Sequence, residues 1–175
     1  MSLRIAALGL LTQHPGSGYD LLKRFQNSMA HVWPATQSQL YGELNKLADA
    51  GLIEVTDIGP RGRKEYRVTD PGRAELARWV TSAQDDPPRR RPDVLRVFLL
   101  GEVPLTEART YVGTVAADAE AELKEYERLR DSVTWADDDA DFYARAALEY
   151  GLRSSAMEVQ WAQWLVKEID KRTRK

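Results

Sequence analysis

Residues 36–73, TQSQLYGELNKLADAGLIEVTDIGPRGRKEYRVTDPGR, decide the fold of the front half of this chain. Thr36, followed three positions later by Gln39, has the pattern of a helix capping box. Gly51 has the position of a glycine that ends a helix. The apolar stripe of the intervening helix, at steps of four and three, is Leu40, Leu44 and Leu47.

A β-hairpin with a basic tip is predicted directly after this helix. Residues 52–58 and 64–68 are rich in alternating and β-branched residues, and Gly-Pro-Arg-Gly-Arg at 59–63 forms the turn between them. Thr69 is expected to cap a further helix with Pro71 in its first turn. The apolar side of that helix is expected to be Leu76, Trp79 and Val80.

Two more helices are predicted before residue 36. Residues 3–11 form a short apolar segment that stops at the Pro-Gly pair at 15–16. Ser17, with Asp20 three positions on, is expected to cap a second helix, which ends before the break at Trp33-Pro34. The order helix, helix, helix, hairpin is that of a winged helix-turn-helix. The fold class is therefore predicted to be mainly α with a small β-hairpin.

The rear half is predicted to be entirely helical. A charged, proline-rich linker, QDDPPRRRP, occupies residues 84–92. A short helix over 93–100, a long helix capped by Thr106, and a last helix from about 139 to 171 follow it. The predicted organisation is a winged helix-turn-helix over 1–83, a linker over 84–92, and a C-terminal helical dimerisation domain over 93–175.

Composition restricts the class of protein. The 175 residues include no cysteine, which excludes disulfides and thiolate metal sites. No apolar run approaches the roughly 20 residues that a spanning helix needs, so we expect a cytoplasmic protein without a membrane partner. The net charge is −2, but residues 1–80 carry ten Lys/Arg against eight Asp/Glu (+2), whereas residues 81–175 carry fifteen against nineteen (−4). A basic front and an acidic rear favour a DNA-binding module joined to another domain.

The helix over residues 36–50 is a candidate for entering DNA. The major groove is about 12 Å wide and admits one α-helix. Gly42 lacks a side chain, which would let the helix approach a surface closely. The polar face comprises Gln37, Ser38, Gln39, Tyr41, Asn45 and Lys46. The hairpin tip adds Arg61, Arg63 and Lys64, which suit phosphates or the adjacent minor groove.

Each of these features also has an ordinary structural explanation. Glutamine, serine and asparagine at helical spacing commonly form a solvated face, and Arg61 and Arg63 could be surface charge alone. Tyr41 and Trp33 suit packing better than base stacking. The order of elements, the capping box and the basic hairpin together favour DNA binding over these alternatives.

The front half, about residues 3–80, closely resembles the PadR family of transcriptional regulators. The matching segments are Leu8 to Leu11, Gly18 to Leu21, Trp33-Pro34, Ser38 to Leu44, Leu47 to Ile53, and Gly62 to Arg73. Residues 93–172 resemble the larger helical C-terminal domain of one PadR subgroup, on the Phe-Leu-Leu-Gly segment at 98–101 and the long helices that follow.

The resemblance implies a homodimer that binds double-stranded DNA at a pseudo-palindromic operator and usually represses. It implies that the hairpin over residues 52–68 is the wing of the fold, which contacts DNA through Arg61, Arg63 and Lys64. It implies that the helix before the hairpin enters the major groove with Thr36, Gln37, Ser38, Gln39, Tyr41 and Lys46. Tyr19, near the start of the second helix, is a candidate phosphate contact or a core residue. Gly42 departs from the family's pattern, in which many members carry proline.

The last predicted helix argues for a dimer on its own. At 1.5 Å per residue it would run roughly 48 Å, too long for a chain of this size to cover on both sides. Its aromatic stripe therefore suits a second copy, although packing against residues 106–130 of the same chain is the alternative. The predicted dimer interface is Tyr143, Tyr150, Met157, Trp161 and Trp164, with Val112, Leu123 and Tyr126 from the preceding helix.

Tryptophans in the acidic rear half also suit a small aromatic effector. Trp135, Trp161 and Trp164 could line a pocket for a flat ring, with core packing as the alternative. The resemblance implies phenolic acids or cationic drugs as classes of effector, although some members of the family have no known ligand, and these alternatives stay open.

Other classes of function fare worse. An enzyme is disfavoured because there is no phosphate-binding glycine loop, no metal-ligand spacing and no partner for His14 or His31 in a catalytic arrangement. The acidic run at 137–141 suits a solvated helix start better than a metal site. We expect no cofactor. The alternative that stays open is a winged-helix protein-interaction module that does not bind DNA directly.

Overall fold

The computed structural model describes residues 2–28, 33, 35–83, 88 and 90–173, without the side chains of residues 2, 27 and 61. The chain divides into two compact units, residues 1–87 and 88–175. The first unit contains α1 (Ser2–Gln13), β1 (Gly16–Ser17), α2 (Gly18–Ser28), α3 (Gln37–Asp49), β2 (Ile53–Ile58), β3 (Lys64–Val68) and α4 (Asp70–Thr81). The second contains α5 (Pro92–Phe98), α6 (Leu105–Ser132) and α7 (Asp139–Thr173).

The first unit has the predicted winged helix-turn-helix fold. One apolar core joins the three helices that precede the hairpin to the hairpin itself, and the predicted stripe of α3 is completely buried in it. The helix α1 places its apolar residues in the same core. Val80 at the end of α4 is exposed, so its predicted place on the apolar side of that helix is wrong.

Helix boundaries in the first unit follow the predicted caps. The amide of Gln39 donates to Thr36 Oγ1 (3.3 Å) and the amide of Thr36 donates to Gln39 Oε1 (2.8 Å), which is a complete capping box. Gly51 follows the C-cap of α3 with a φ of 67°, a backbone conformation that glycine adopts at little cost. Thr69 Oγ1 accepts from the amide of Gly72 (3.3 Å), as expected for the cap of α4.

The sheet has three strands where the sequence predicted two. The antiparallel order is β1-β3-β2, with Ser17 paired to Glu65 and Gly16 paired to Tyr66. A two-residue strand has no alternating pattern, and its partner lies far along the chain, so the sequence carries no local signal for it. The additional strand joins the start of α2 to the wing.

The second unit is built on the long pair α6 and α7. The predicted helices are present, but two expected boundaries are wrong. The helix α5 begins at Pro92, inside the predicted linker, and α6 begins at Leu105 with Pro104 as its N-cap. Thr106 therefore lies inside the first turn of α6, where its carbonyl accepts from the Thr110 hydroxyl (2.9 Å). Residues 84–87 and 89 of the predicted linker lie outside the described residues.

The two faces of α7 differ in the size of their side chains. The buried face is formed by Gly151, Ser155, Ala162 and Ile169. Small residues allow two helices to approach closely, whereas the large aromatic residues of α7 lie on other faces. None of the helices described is long and apolar enough to cross a membrane.

Candidate nucleic-acid interface

The helix α3 separates a buried apolar face from a polar face. Leu40, Leu44 and Leu47 are fully buried on one side. Gln37 and Ser38 at the start of the helix are exposed, and their side chains form no hydrogen bond within the described part of the chain. The first turn of α3 therefore presents free amide and hydroxyl groups, the types that hydrogen-bond to base edges and phosphates.

Two further candidates in this region are engaged in the capping box. Gln39 Oε1 accepts from the Thr36 amide (2.8 Å) and from the Thr36 hydroxyl (3.2 Å). The side-chain oxygen Oε1 of Gln39 is thus occupied, and the side-chain nitrogen Nε2 is the group that remains for a ligand. Thr36 and Gln39 determine where α3 starts, in addition to any contact that they make with DNA.

The ring of Tyr41 packs against the core of the first unit and against Gly18. It lies half-buried against the core, and a Cβ added at Gly18 would come within 2.7 Å of Tyr41 Cε1. Burial, with a contribution from Tyr41, raises the pKa of the neighbouring Tyr66 phenol. Tyr41 therefore positions α3 against the start of α2, which is the packing alternative that the sequence left open.

Lys46 is paired within its own helix. Its Nζ lies 2.7 Å from Glu43 Oε1, and the lysine side chain is largely exposed while Glu43 is not. The sequence prediction missed Glu43, although the spacing of three residues between the two charges is a recognised signal for a helical ion pair. A phosphate at Lys46 would compete with this carboxylate.

The cationic side chains of the wing differ in whether they are paired with a carboxylate. A short 3-10 turn at residues 60–62, with Gly62 at a φ of 77°, joins its two strands. Lys64 is exposed and has no partner among the described residues. Arg63 is paired with two carboxylates, Asp20 at 2.8 Å and Glu65 at 3.1 Å. The predicted role of Arg61 depends on a side chain outside the described set.

Tyr19 lies on the surface. Its side chain is 63% exposed at the first turn of α2, which excludes the core alternative.

Asp20, the next residue, accepts hydrogen bonds from Ser17 at the start of α2. These bonds, together with the charge of Arg63, keep the pKa of the Asp20 carboxyl below its ordinary value. The pairing of Asp20 with Arg63 was not foreseen, because 43 residues separate them and only the fold brings them together.

The predicted dimer residues of α7 are largely exposed in the single chain. Tyr143, Tyr150, Met157 and Trp164 recur at every seventh position and are 70%, 58%, 52% and 55% exposed. The half-buried members of the predicted set are Trp161, Leu123 and Tyr126. Val112 is fully buried in the single chain, so its predicted contact with a partner is wrong: it has no accessible surface left.

Of the three tryptophans predicted to line an effector pocket, Trp135 lies in the wall of a cavity. Trp135 lines a cavity of about 290 Å³ with Leu148, Leu152, Arg145 and neighbouring charged residues, and neither Trp161 nor Trp164 is part of its wall. Within the described residues, no group of three or more His, Asp or Glu side chains is placed to hold a metal ion.

Comparison with known families gives two matches along the chain. Residues 7–78 match the model of the transcriptional regulator PadR-like family. Residues 90–170 match the model named virulence activator alpha C-term. The two matched ranges lie in the two compact units, one in each.

Individual relatives extend over nearly the whole chain. The negative transcriptional regulator PadR of Bacillus subtilis (strain 168) is 30% identical over 97% of this chain and 98% of its own length. The crystal structure of Bacillus subtilis PadR in complex with operator DNA has a TM-score of 0.83 at 27% identity, covering 97% of this chain and 99% of that one. The structure of the same protein in complex with p-coumaric acid has a TM-score of 0.82 with the same identity and coverage.

Proposed function

Because the chain belongs to the PadR-like family of transcriptional regulators, in the subgroup with the larger helical C-terminal domain, we propose that it is a homodimeric repressor of transcription. Each copy inserts the first turn of α3 into the major groove of a pseudo-palindromic operator. The PadR of Bacillus subtilis, which is described as a negative regulator and has been crystallised with operator DNA, supports both parts of this proposal.

The observation that carries the DNA-binding role is the division of α3 into two faces. Its leucines are buried completely, so the helix cannot rotate without opening the core. Gln37 and Ser38 are thereby held outward with free hydrogen-bonding groups. Tyr41 and Lys46 lie further along the helix, where Lys46 can exchange its intrahelical carboxylate for a phosphate oxygen.

The wing supplies sequence-independent affinity. Lys64 begins β3 with an exposed ammonium group and no partner in the described part of the chain. Because Lys64 has no carboxylate partner to give up, it can neutralise a phosphate directly. The counterions that this contact releases from the DNA make binding depend on salt. Arg61 lies in the preceding turn and is proposed to act with it.

The dimer is proposed to form through the exposed stripe of α7. Large side chains at positions 143, 150, 157 and 164 follow a strict seven-residue repeat over three intervals. A repeat of this period keeps one face of a helix directed at a partner helix along its length. Two-fold symmetry then supplies two copies of α3 for two half-sites, which are spaced about 34–36 Å apart along the DNA.

A small aromatic acid is proposed as the effector that releases the DNA. The p-coumaric acid complex of Bacillus subtilis PadR supports this class of ligand. In this chain, Trp135 offers a ring and Arg145 a cation beside one small cavity. The probe is p-coumarate, which should dissociate the protein from DNA in a titration. A response that survives Trp135→Ala undiminished would place the ligand elsewhere.

Gel shifts on a fragment that carries the promoter of the chain's own gene test the DNA-binding role. Affinity should fall by orders of magnitude between about 50 and about 200 mM salt. Ser38→Ala and Lys64→Ala should weaken binding, whereas Lys124→Ala, which removes an equivalent exposed charge from α6, should not. Binding that ignores salt and all of these substitutions would contradict the proposal.

In vitro transcription tests the direction of regulation. Adding the protein to a template with this promoter should lower the amount of transcript, and Ser38→Ala should restore it at the same protein concentration. A rise in transcript on addition of the protein would identify an activator instead.

A further inference from the structure

One carboxylate oxygen joins the wing to the helical part of the first unit. Asp20 Oδ2 accepts from the Ser17 amide (3.1 Å), from the Ser17 hydroxyl (2.6 Å) and from Arg63 Nη2 (2.8 Å). The first two bonds belong to the cap of α2, and Ser17 is completely buried. The third bond comes from the end of the wing turn, so the same oxygen that starts the helix also holds the wing.

The sheet brings Arg63 to this oxygen. The strand β1 pairs with β3 through Ser17 and Glu65, which places the start of β3 beside the start of α2. The carbonyl of Arg63 accepts from the Gly59 amide (2.7 Å) and closes the turn. Arg63 Nε lies 3.1 Å from Oε1 of Glu65, which belongs to β3. The guanidinium therefore bridges a helix and a strand.

Neighbouring cations of the hairpin do not make this connection. Arg67 is paired with Glu54 (2.7 Å), and both residues belong to the hairpin, so their ion pair cannot tie the hairpin to a helix. Lys64 has no described partner. In the part of the chain that the structure describes, Arg63 with Asp20 is the ion pair that runs from the wing to α2.

We propose that Arg63 is a positioning residue for DNA binding: it fixes the wing against the start of α2 and does not itself bind a phosphate. This inference rests on the proposed function. An exposed ion pair contributes little to folding stability, because solvent screens it and two long side chains lose freedom. Its effect lies in restricting the wing, so that Lys64 meets the DNA backbone at a fixed place relative to α3.

The salt dependence of DNA binding distinguishes positioning from phosphate contact. Each phosphate contact that is lost lowers the slope of log affinity against log salt by about 0.9. If Arg63 positions the wing, Arg63→Ala weakens binding about fivefold, the loss expected for one surface ion pair, with the slope of the wild type. Arg63→Lys, which can still reach Asp20 with one donor, should recover most of that affinity.

Asp20→Asn gives the sharper test. Asparagine can still accept from the Ser17 amide, so the cap is retained while the attraction for Arg63 is lost. Removing a negative charge ordinarily strengthens binding to DNA, yet here we expect about fivefold weaker binding and no further loss when Arg63→Ala is added. The matched controls are Asp57→Asn on β2, which is an equal change of charge on the hairpin, and Arg67→Ala on β3.

A phosphate-binding Arg63 would give the opposite results. Arg63→Ala would then lower the salt slope by about one contact, and Asp20→Asn would strengthen binding because it frees the guanidinium. Either outcome overturns the proposal, as does an unchanged affinity in Arg63→Ala.

Hydrogen exchange in the free protein decides the inference without DNA. The amides of residues 59 and 61–66 should exchange faster in Arg63→Ala and Asp20→Asn than in wild type or Arg67→Ala, while the amides of α3 stay protected. Unchanged exchange in the wing would overturn the inference. A wild type that fails to bind DNA with salt-dependent affinity would instead overturn the proposed function, and the exchange data would still report on the wing.

Discussion

The ring of Tyr126 on α6 lies directly over Gly151 on α7. A Cβ added at position 151 would be 2.7 Å from Tyr126 Cε1 and 2.8 Å from Tyr126 Cζ. Burial raises the pKa of this phenol, and the charge of Glu122 raises it further. The glycine is therefore needed for close packing of the two long helices, not for backbone flexibility.

Gly151→Ala should lower the free energy of unfolding by about 1–2 kcal/mol, because the added methyl overpacks the contact with the ring. The matched control is Gly113→Ala in α6, where a Cβ meets no atom within 4 Å and alanine should stabilise the helix by up to about 1 kcal/mol. Urea unfolding followed by circular dichroism measures both. Equal effects of the two substitutions would contradict the packing argument, and adding Tyr126→Ala should abolish the cost at 151.

Gly42→Ala should affect folding and DNA binding in opposite directions. Ser38, Gly42 and Asn45 follow one another at steps of four and three, so they share a face of α3, and a Cβ at 42 meets no atom within 4 Å of the protein. Alanine should therefore raise the free energy of unfolding by up to about 1 kcal/mol. If this face meets DNA, affinity should nevertheless fall. Stabilisation with unchanged affinity would show that position 42 faces away from the groove.

Gln39 allows the capping role to be separated from the binding role. Gln39→Glu keeps an acceptor for the Thr36 amide, and a negative charge at the start of a helix is favourable, so stability should be unchanged or slightly higher. DNA affinity should fall because the carboxylate repels phosphates. Gln39→Ala should lower the free energy of unfolding by about 0.5–1 kcal/mol. Gel shifts and urea unfolding on both variants check this, and retained affinity in Gln39→Glu would place residue 39 outside the interface.

Asp20 should make the first unit sensitive to acid. Its pKa in the folded chain lies below the ordinary value of 3.8, so the ionised carboxylate favours the folded state above that value. This contribution is lost as the pH falls through the folded pKa. Unfolding measured from neutral pH down to about pH 2.5 should therefore show a shallower loss of stability in Asp20→Asn than in wild type. Identical pH profiles would contradict the assignment.

Local chemistry made most of the first unit predictable. The capping pair Thr36 and Gln39, the glycine at 51 and the leucine stripe of α3 are each specified within a few residues, and all three are confirmed. The strand β1 and the pair of Asp20 with Arg63 depend on residues far apart in sequence, so no local pattern predicts them. Thr106 failed as a cap because α6 starts earlier, after Pro104, where the fixed φ of proline suits a helix start.

The seven-residue stripe of α7 was predictable as a surface, whereas its partner was not. Residues 143, 150, 157 and 164 are exposed in the single chain, and their seven-residue spacing can be read from the sequence. The residues of a second copy that would meet them leave no pattern near these positions. Three of the four buried residues of α7, Gly151, Ser155 and Ala162, are small, and a search for apolar periodicity overlooks Gly151 and Ser155. Their packing against α6 is visible only in three dimensions.

Met157→Lys should therefore convert the proposed dimer into a monomer. Position 157 lies inside the stripe and is 52% exposed in the single chain. In an interface along this stripe each copy would bury an ammonium group without a partner, and an unpaired buried charge is strongly unfavourable. Met157→Leu, which conserves volume and apolar character, is the control and should remain dimeric. Light scattering coupled to size exclusion at micromolar concentration measures the mass, and the monomer should also lose operator affinity because one copy can occupy only one half-site. A Met157→Lys protein that stays dimeric would show that the copies associate through a different surface.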